Sequence, residues 1–154
     1  MSNQIKVIIM SILSTLMVLG VGFVILNSTA KNGYPNTPDS ELASKMARTK
    51  ERGISVLIFH KTGCIDCKRA QKQVVKSLKT GKSNYPKVNY VVLDYKDKQT
   101  HKYFKEFNIT ETPTFVEVKH REVTRLYSGT NAEKISSVIE LDWSDWRKLY
   151  GEGK

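Results

Sequence analysis

The chain has few residues that could form covalent or metal-bound cross-links, with two cysteines and three histidines among 154 residues. Both cysteines lie within Cys64–Cys67, so none is left for a disulfide framework and an apolar core has to stabilise the fold. A disulfide within this segment would close only a four-residue loop and add little stability. Structural zinc is disfavoured, because His60, His101 and His120 are scattered rather than spaced as ligands.

The sequence also lacks internal repeats, low-complexity segments and nucleic-acid-binding motifs, and no aromatic residue lies between Lys68 and Lys76. Acidic residues are in deficit, which leaves a formal net charge of +10. Lys68, Lys72 and Lys76 recur every four residues, as on a solvated helix face. A basic exterior favours lipid headgroups, wall polymers or acidic client segments as surroundings. Nucleic acid is therefore not an expected partner.

Charge is absent from the twenty residues Val7 to Leu26. At about 1.5 Å per residue, a helix of this length is roughly 30 Å long and can cross a bilayer core. Lys6 in the short tail is a weak cue for a cytoplasmic N-terminus. The alternative is a cleaved signal peptide, since Ser28-Thr29-Ala30 resembles a cleavage site, but the apolar run is longer than the usual signal core.

The chain is therefore predicted to have four parts. These are a cytoplasmic tail (1–6), a single transmembrane anchor (7–27), a linker containing Gly33 and Pro35 (28–39), and one extracytoplasmic domain (40–154). The protein is expected in the cell membrane, with the cysteines on the outer side, where protein disulfides form and persist.

The segment Cys64-Ile65-Asp66-Cys67 lies where an apolar strand, Ile54–Phe59, gives way to a basic helix. A two-residue spacer places both sulfurs in the first helical turn, where free N–H groups and the helix dipole stabilise a thiolate. Cys64, at the exposed start, is the expected nucleophile. Cys67, one turn in, is the expected resolving thiol.

Around this segment, strands and helices alternate. Thr37 is expected to cap a first helix that begins at Pro38 and ends before Gly53. The helix after strand Ile54–Phe59 is predicted to span Cys67–Leu78 and to end near Gly81. The next strand is predicted at Val88–Leu93, parallel to the first because a helix connects them.

The C-terminal third is predicted to contain a helix, a hairpin and a last helix. The helix is expected at Thr100–Phe107, and the antiparallel strands at Phe115–Val118 and Val123–Tyr127. The sequence Thr130-Asn131-Ala132-Glu133 has the capping-box form. It opens the last helix, whose apolar stripe consists of Ile135, Val138, Ile139, Trp143 and Trp146.

This order of elements, with Cys-x-x-Cys at the end of the first strand, resembles the thioredoxin-like superfamily. Thr112-Pro113-Thr114-Phe115 directly before the hairpin adds to the resemblance, because proteins of this family carry a cis-proline there that faces the cysteines. The resemblance implies a mixed β-sheet flanked by helices, with Cys64 and Cys67 as the redox pair. It also implies that Thr112, Pro113, Ile65 and Asp66 contact an extended client strand through strand-like pairing.

The sequence departs from the family at three places. Many thioredoxins have a buried acid six residues before the first cysteine, and Ile58 stands there. In its place, the carboxylate of Glu111 or Asp66 could accept the proton of the resolving thiol through a water molecule, although both residues are more simply interpreted as solvated surface acids. Gly63 replaces the family's usual tryptophan, and the Ile65-Asp66 pair matches neither the Gly-Pro of reductases nor the Pro-His of oxidases. His60 could stabilise a thiolate, but we expect it to be simply a polar residue that ends the strand.

The charges around Cys64 bear on the direction of electron transfer. The Asp66 carboxylate should raise the pKa of the Cys64 thiol, whereas Lys61, Lys68 and Arg69 should lower it. A thiolate without strong stabilisation suits reduction, while a strong oxidant needs a strongly stabilised thiolate. The sequence thus favours a reductase or isomerase slightly over an oxidase.

Together these features predict a membrane-anchored thiol–disulfide oxidoreductase that acts on protein disulfides and is recycled by an unidentified redox partner. No cofactor and no metal is expected. The chain resembles small anchored thioredoxin-like proteins of single-membrane bacteria that accompany secretion, bacteriocin export or conjugation. The alternative is a non-enzymatic accessory subunit of such a machine, which uses the fold for binding while the cysteines stay idle.

Overall fold

The computed structural model describes residues 33–142. The elements in chain order are α1 (Asp39–Arg48), β1 (Ile54–His60), α2 (Ile65–Asn84), β2 (Asn89–Asp94), a 3-10 turn (Lys98–Thr100), α3 (His101–Glu106), β3 (Thr114–Lys119), β4 (Glu122–Ser128) and α4 (Ala132–Ile139). The predicted alternation of helices and strands, and the C-terminal hairpin, are confirmed.

The four strands form one mixed sheet in the order β2-β1-β3-β4. β1 and β2 are parallel, as predicted from the helix that connects them, and β1–β3 and β3–β4 are antiparallel. The central strand β1 has six buried residues out of seven. The connection between β3 and β4 is the pair His120 and Arg121, both with positive φ, a two-residue turn suited to the twist of a hairpin.

Two apolar cores cover the faces of the sheet. On one face, α2 and α4 pack over alternate strand residues, among them Val56, Ile58 and Phe115. On the other face, α1 and α3 pack over Leu57 and Phe59. β1 serves both cores because successive side chains of a strand point to opposite faces. A central strand that is buried on both faces is therefore apolar almost throughout.

Gly81 was expected to end α2, but the helix continues to Asn84. The residue lies in the buried face of the helix, where a Cβ atom would come within 2.8 Å of the Ile139 carbonyl oxygen. The same Cβ atom would come within 2.5 Å of the Tyr90 hydroxyl oxygen. This hydroxyl donates to the Ile139 carbonyl at 3.2 Å. Glycine at this position thus allows α2 to approach α4 and β2 closely.

Two predicted helix caps are wrong by one residue. α1 is preceded by Pro38 and has no side-chain cap. Thr37 instead pairs with β2, since its N–H donates to the Val92 carbonyl at 3.0 Å and its Oγ1 accepts from the Val92 N–H at 2.9 Å. The N-cap of α4 is Asn131, whose Oδ1 accepts from the Lys134 N–H at 3.0 Å. α4 ends at Ile139, and Trp143 and Trp146 lie outside the described residues.

A buried ion pair crosses the hairpin. Glu117 of β3 and Arg125 of β4 are register partners, and both side chains are fully inaccessible to solvent. Arg125 Nε donates to Glu117 Oε2 at 2.6 Å, and Arg125 Nη1 donates to the carbonyls of Ser137 and Asp142 at 2.8 and 3.0 Å. The pair therefore attaches the hairpin to the C-terminal end of α4.

The segment before α1 is described from Gly33 onward. In that part of the predicted linker, Tyr34 is buried in the core beneath α2, and Thr37 lies along β2. No helix within residues 33–142 is long and apolar enough to cross a bilayer. The predicted tail and anchor, residues 1–27, lie outside the described residues.

Candidate redox site

The cysteine pair lies where β1 ends and α2 begins. Gly63 turns the chain with a φ of +90°, a conformation that side-chain-bearing residues rarely adopt. Cys64 is then the N-cap of α2, and its Sγ accepts from the Cys67 N–H at 3.1 Å. A thiol placed at a helix N-terminus receives the backbone donors and the positive end of the helix dipole, which stabilise its thiolate.

The segment before β3 forms the opposite wall of the site. The Thr112–Pro113 peptide bond is cis, as predicted. The Thr112 carbonyl lies 3.5 Å from Cys64 Sγ, and the Thr112 hydroxyl lies 3.6 Å from the same sulfur. The Gly129 N–H donates to the Pro113 carbonyl at 3.0 Å, which holds the segment to the end of β4. The fold thus brings Cys64, Cys67, Thr112 and Pro113 together.

The two thiols have different surroundings. Cys64 is half-buried, whereas Cys67 is 2% exposed. Cys67 Sγ accepts from the Lys61 N–H at 3.5 Å, so it lies against the chain just after β1. Both cysteines are free thiols in this structure. The outer sulfur is accessible to a large substrate and the inner one is not.

The surroundings also separate the acidities of the two thiols. Burial raises the pKa of the Cys64 thiol, but hydrogen bonds from Cys67 and from Thr112 outweigh it, so the net pKa lies below the usual value. Burial, followed by the hydrogen bond to Cys64, raises the pKa of Cys67 to about 11. Cys64 is therefore the better nucleophile near neutral pH, and Cys67 stays protonated.

The other two residues predicted to contact a client lie outside this sulfur cluster. Ile65 is 71% exposed and stands next to Cys64. Asp66 is exposed, and its carboxylate pairs with Arg69 at 3.0 Å. The pKa of Cys64 moves downward, opposite to the effect expected of the Asp66 carboxylate, because hydrogen bonds to the sulfur dominate. Glu111 is exposed as well, in line with a solvated surface acid.

Sequence reasoning missed a group of side chains packed around His60, at the end of β1 that precedes α2. We call Tyr34, Asn36, His60 and Asp94 the His60 cluster. His60 is only 2% exposed, so its interpretation as simply a polar residue that ends the strand is wrong. Its ring stacks on Tyr34 with 4.1 Å between centroids, and its Nε2 lies 2.6 Å from Asn36 Oδ1. The available signal was the alternation of β1, which places His60 on the same face as Val56 and Ile58.

The His60 cluster touches the cysteine pair through the backbone. The Tyr34 hydroxyl donates to the Cys67 carbonyl at 2.8 Å. Asp94 is the register partner of His60 on β2, and its carboxylate accepts from the N–H groups of Thr62 and Lys96 at 3.0 Å and from the Thr62 hydroxyl. The loop that precedes Cys64 is thereby tied to the end of β2.

This arrangement, one accessible thiol and one protected thiol at a helix N-terminus opposite a cis-proline, is consistent with a dithiol redox site. The model of the thioredoxin-like domain matches residues 41–141. The chain therefore belongs to the thioredoxin-like family, and the family suggests thiol–disulfide oxidoreductase activity in general. No curated protein matches the chain significantly.

Several solved structures are similar to this chain. Oxidised mitochondrial thioredoxin 3 from Saccharomyces cerevisiae is 26% identical, with a TM-score of 0.51 over 64% of this chain and 88% of that one. A redox protein from Chlamydomonas reinhardtii is 26% identical, with a TM-score of 0.53 over 74% of this chain and 34% of that one. Oxidised thioredoxin from Plasmodium falciparum is 19% identical, with a TM-score of 0.52 over 64% and 89%, and shows the fold alone.

Proposed function

We propose that the protein is a membrane-anchored, extracytoplasmic thiol–disulfide oxidoreductase that acts on protein disulfides as a reductase or isomerase. The observation that carries the proposal is the asymmetry of the cysteine pair. Cys64 is accessible and has a lowered pKa, while Cys67 is buried behind it with a pKa of about 11. A nucleophile and a resolving thiol need these two different environments.

Reduction of a client would proceed in two exchanges. The Cys64 thiolate attacks one sulfur of the client disulfide, the client S–S bond breaks, and the other client sulfur leaves as a thiolate that takes a proton. Cys67 then loses its proton and attacks Cys64 Sγ. The Cys64–Cys67 disulfide forms, and the client is released as a dithiol. Two electrons pass to the client, and an unidentified redox partner returns them.

Client binding is assigned to the surface around Cys64. An extended client segment would pair with the backbone of Thr112 beside Pro113, in the manner of strand addition. Ile65 supports this assignment, because a large aliphatic side chain that is 71% exposed next to the nucleophile offers apolar contact. Ile65 can thus provide part of the client contact that the family's tryptophan, replaced here by Gly63, would otherwise supply. Asp66 lies at the edge of this surface, paired with Arg69.

Neutral hydrogen-bond donors support the reductase or isomerase direction. The groups that lower the pKa of Cys64 are Cys67, Thr112 and backbone N–H groups, and none of these carries a positive charge. Neutral donors stabilise an anion less than cationic ones do. A modestly stabilised thiolate keeps the dithiol form from being strongly favoured, as reduction of a client requires.

The redox potential of the cysteine pair tests the proposal. We expect the full chain in detergent micelles to form a Cys64–Cys67 disulfide, with a midpoint between about −270 and −180 mV, the range of thioredoxin and of protein disulfide isomerase. The measurement is equilibration with glutathione and dithiothreitol buffers followed by thiol-specific mass tagging, with Cys67→Ser as the control that cannot close the disulfide. A midpoint near about −120 mV would make the protein an oxidase. If no disulfide forms at any poise, the redox function is excluded and an accessory role takes its place.

The membrane location is proposed on the uncharged segment Val7–Leu26 and on the weak positive-inside cue of Lys6. Because the chain resembles small anchored thioredoxin-like proteins, we also propose that it belongs to a bacterium with a single membrane. There it would accompany a secretion, bacteriocin-export or conjugation system. Disulfide chemistry on the outer face is consistent with this location, since clients there form stable disulfides.

The orientation can be tested in intact cells. After brief treatment with dithiothreitol, a membrane-impermeant maleimide should label Cys64 in intact cells as completely as in lysed cells, because Cys64 is the accessible thiol of the pair. The control is Cys64→Ser, which should lose the label because Cys67 is buried. Labelling that requires lysis would place the domain on the cytoplasmic side.

A further inference from the structure

We propose that the buried imidazole of His60 accepts the proton of Cys67 during the resolving step, with Tyr34 and Asn36 as the residues that position it. The inference rests on the proposed function, since it concerns the second of its two exchanges. It assigns a role to the His60 cluster, which the cysteine chemistry described above does not use.

The position of His60 is the first argument. Val56, Ile58 and His60 alternate along β1 on the face covered by α2, and His60 is the one nearest the cysteine pair. Cys67 Sγ accepts from the N–H of the next residue, Lys61, so the sulfur lies beside the backbone of His60. The family's buried acid would be at Ile58, one step further along the same face. His60 is thus the titratable residue on this face of β1, directly before the Lys61 N–H that contacts Cys67 Sγ.

Tyr34 links the imidazole of His60 to the first turn of α2. Tyr34 stacks on the imidazole almost in parallel, at 10°, and donates its hydroxyl to the Cys67 carbonyl. The ring is therefore within one side chain's length of the first turn of α2. Burial raises the pKa of Tyr34, so its hydroxyl stays a donor and is not itself the base.

The hydrogen bond to Asn36 fixes the proton on the imidazole. An amide oxygen only accepts, so His60 Nε2, 2.6 Å from Asn36 Oδ1, carries the hydrogen. In the neutral ring the lone pair is then on Nδ1. Burial lowers the pKa of His60, which keeps the ring neutral at pH 7 and able to accept a proton.

Asp94 favours the charged product of the transfer. Its carboxylate lies beside His60 on the neighbouring strand and stabilises an imidazolium. Asp94 is a poor acceptor itself, because its oxygens already accept three hydrogen bonds from Thr62 and Lys96 and these bonds lower its pKa. The titratable side chains packed against His60 are thus Tyr34 from the segment before α1 and Asp94 from β2, and Tyr34 in turn reaches the backbone of Cys67 in α2.

The proton balance of the step is complete within this group. Cys67 S–H gives its proton to His60 Nδ1, directly or through one water, and the thiolate attacks Cys64 Sγ of the mixed disulfide. The Cys64–client bond breaks, and the departing client thiolate takes the proton from the imidazolium. The interactions with Cys64 that help to raise the pKa of Cys67 disappear once Cys64 is bonded to a client, so burial is the barrier that a base has to offset.

The experiment separates the two exchanges. The reduced full chain in detergent is mixed with 5,5′-dithiobis(2-nitrobenzoate), and two releases of thionitrobenzoate are followed. The first depends on reagent concentration and reports attack by Cys64, and the second is independent of it and reports resolution by Cys67. We expect His60→Phe, which keeps a ring on Tyr34, to slow the second release about 100-fold at pH 7 and to leave the first unchanged.

The pH profile shows whether His60 acts as a base or only as packing. In the parent protein the second release should fall as the pH drops through the pKa of His60, below the usual value of about 6.5, because the protonated ring accepts nothing. In His60→Phe this inflection should be lost, and the rate should rise with pH toward the pKa of Cys67. His60→Gln, which keeps a polar group toward Asn36, should behave in the same way.

His101→Phe is the matched control, since His101 also stacks on a tyrosine, Tyr95, at 4.4 Å but belongs to α3, which packs on the other face of the sheet. It should change neither release. The proposal is overturned if His60→Phe and His60→Gln resolve the mixed disulfide at the parental rate, or if both releases slow equally with no change in pH profile. A parent protein with no second release would instead overturn the dithiol function itself.

Discussion

Cys67→Ser should accumulate covalent adducts with client proteins, which is the largest chemical effect expected in this chain. The variant keeps the accessible Cys64, whose Sγ still receives the backbone N–H of residue 67 and the Thr112 hydroxyl, so attack on a client disulfide proceeds. The resolving thiol is missing, and only external thiols can break the mixed disulfide. Because groups held in place react as if at very high effective concentration, millimolar external thiol should resolve the adduct at least about 1,000-fold more slowly.

The adducts can be counted on non-reducing gels and identified by mass spectrometry of the full chain recovered from membranes. Cys64→Ser and the double variant should give none, because Cys67 is buried and has a raised pKa. Cys64→Ser should also abolish turnover of a disulfide substrate. If Cys67→Ser forms no adduct while Cys64→Ser retains full biological effect, the cysteines are idle and the accessory role is correct.

The sheet could be predicted because its strands coincide with short apolar runs in the sequence. The strand Ile54–His60 is buried on both faces, which is why the run Ile54–Phe59 is apolar except for Ser55. Parallel pairing with β2 followed from the crossover helix, and the hairpin followed from two apolar runs around a polar connection. The cysteine pair and Pro113 were found for the same reason, since local motifs identify them.

The sequence could not predict features that depend on packing between distant segments. Gly81 has the local signature of a helix end, yet its hydrogen is needed for contact with Tyr90 and Ile139, which are distant in the chain. Tyr34 lay in a stretch rich in turn-forming residues, and only the tertiary structure shows that it reaches Cys67, 33 residues away. Local propensity carries no information about such pairs.

The buried ion pair of Glu117 and Arg125 also depends on packing between separate segments. It is harder still to predict from the sequence, because both residues are charged. A charged residue in a strand is usually taken to face solvent, as expected of the outer face of a hairpin. The strand residues before Glu117 are buried, and the pair faces the α4 side, where Arg125 also reaches the end of that helix. When both charges are buried together, their mutual attraction offsets part of the desolvation free energy that either charge would lose if it were buried alone.

Arg125→Met should therefore destabilise the protein strongly. The substitution leaves Glu117 buried without its cation and removes the donors to the Ser137 and Asp142 carbonyls. Breaking a buried pair by removing one partner costs about 3–5 kcal/mol in free energy of unfolding. At about 4 °C per kcal/mol for a domain of this size, the melting temperature should fall by about 12–20 °C. Thermal unfolding of the full chain, followed by circular dichroism, measures this shift.

Lys50→Met is the matched control, because it breaks an exposed ion pair. Lys50 Nζ lies 3.1 Å from Glu106 Oε1, and the side chains of Lys50 and Glu106 are 70% and 39% exposed. Exposed pairs contribute at most about 1 kcal/mol, so the control should melt within a few degrees of the parent. Adding Glu117→Leu to Arg125→Met should restore part of the lost stability, since the uncompensated charge is gone while the two carbonyls still lack their donor. Equal melting temperatures for Arg125→Met and Lys50→Met would show that Glu117 reaches water or another partner when Arg125 is removed, and would refute the role of this pair in stabilising the hairpin against α4.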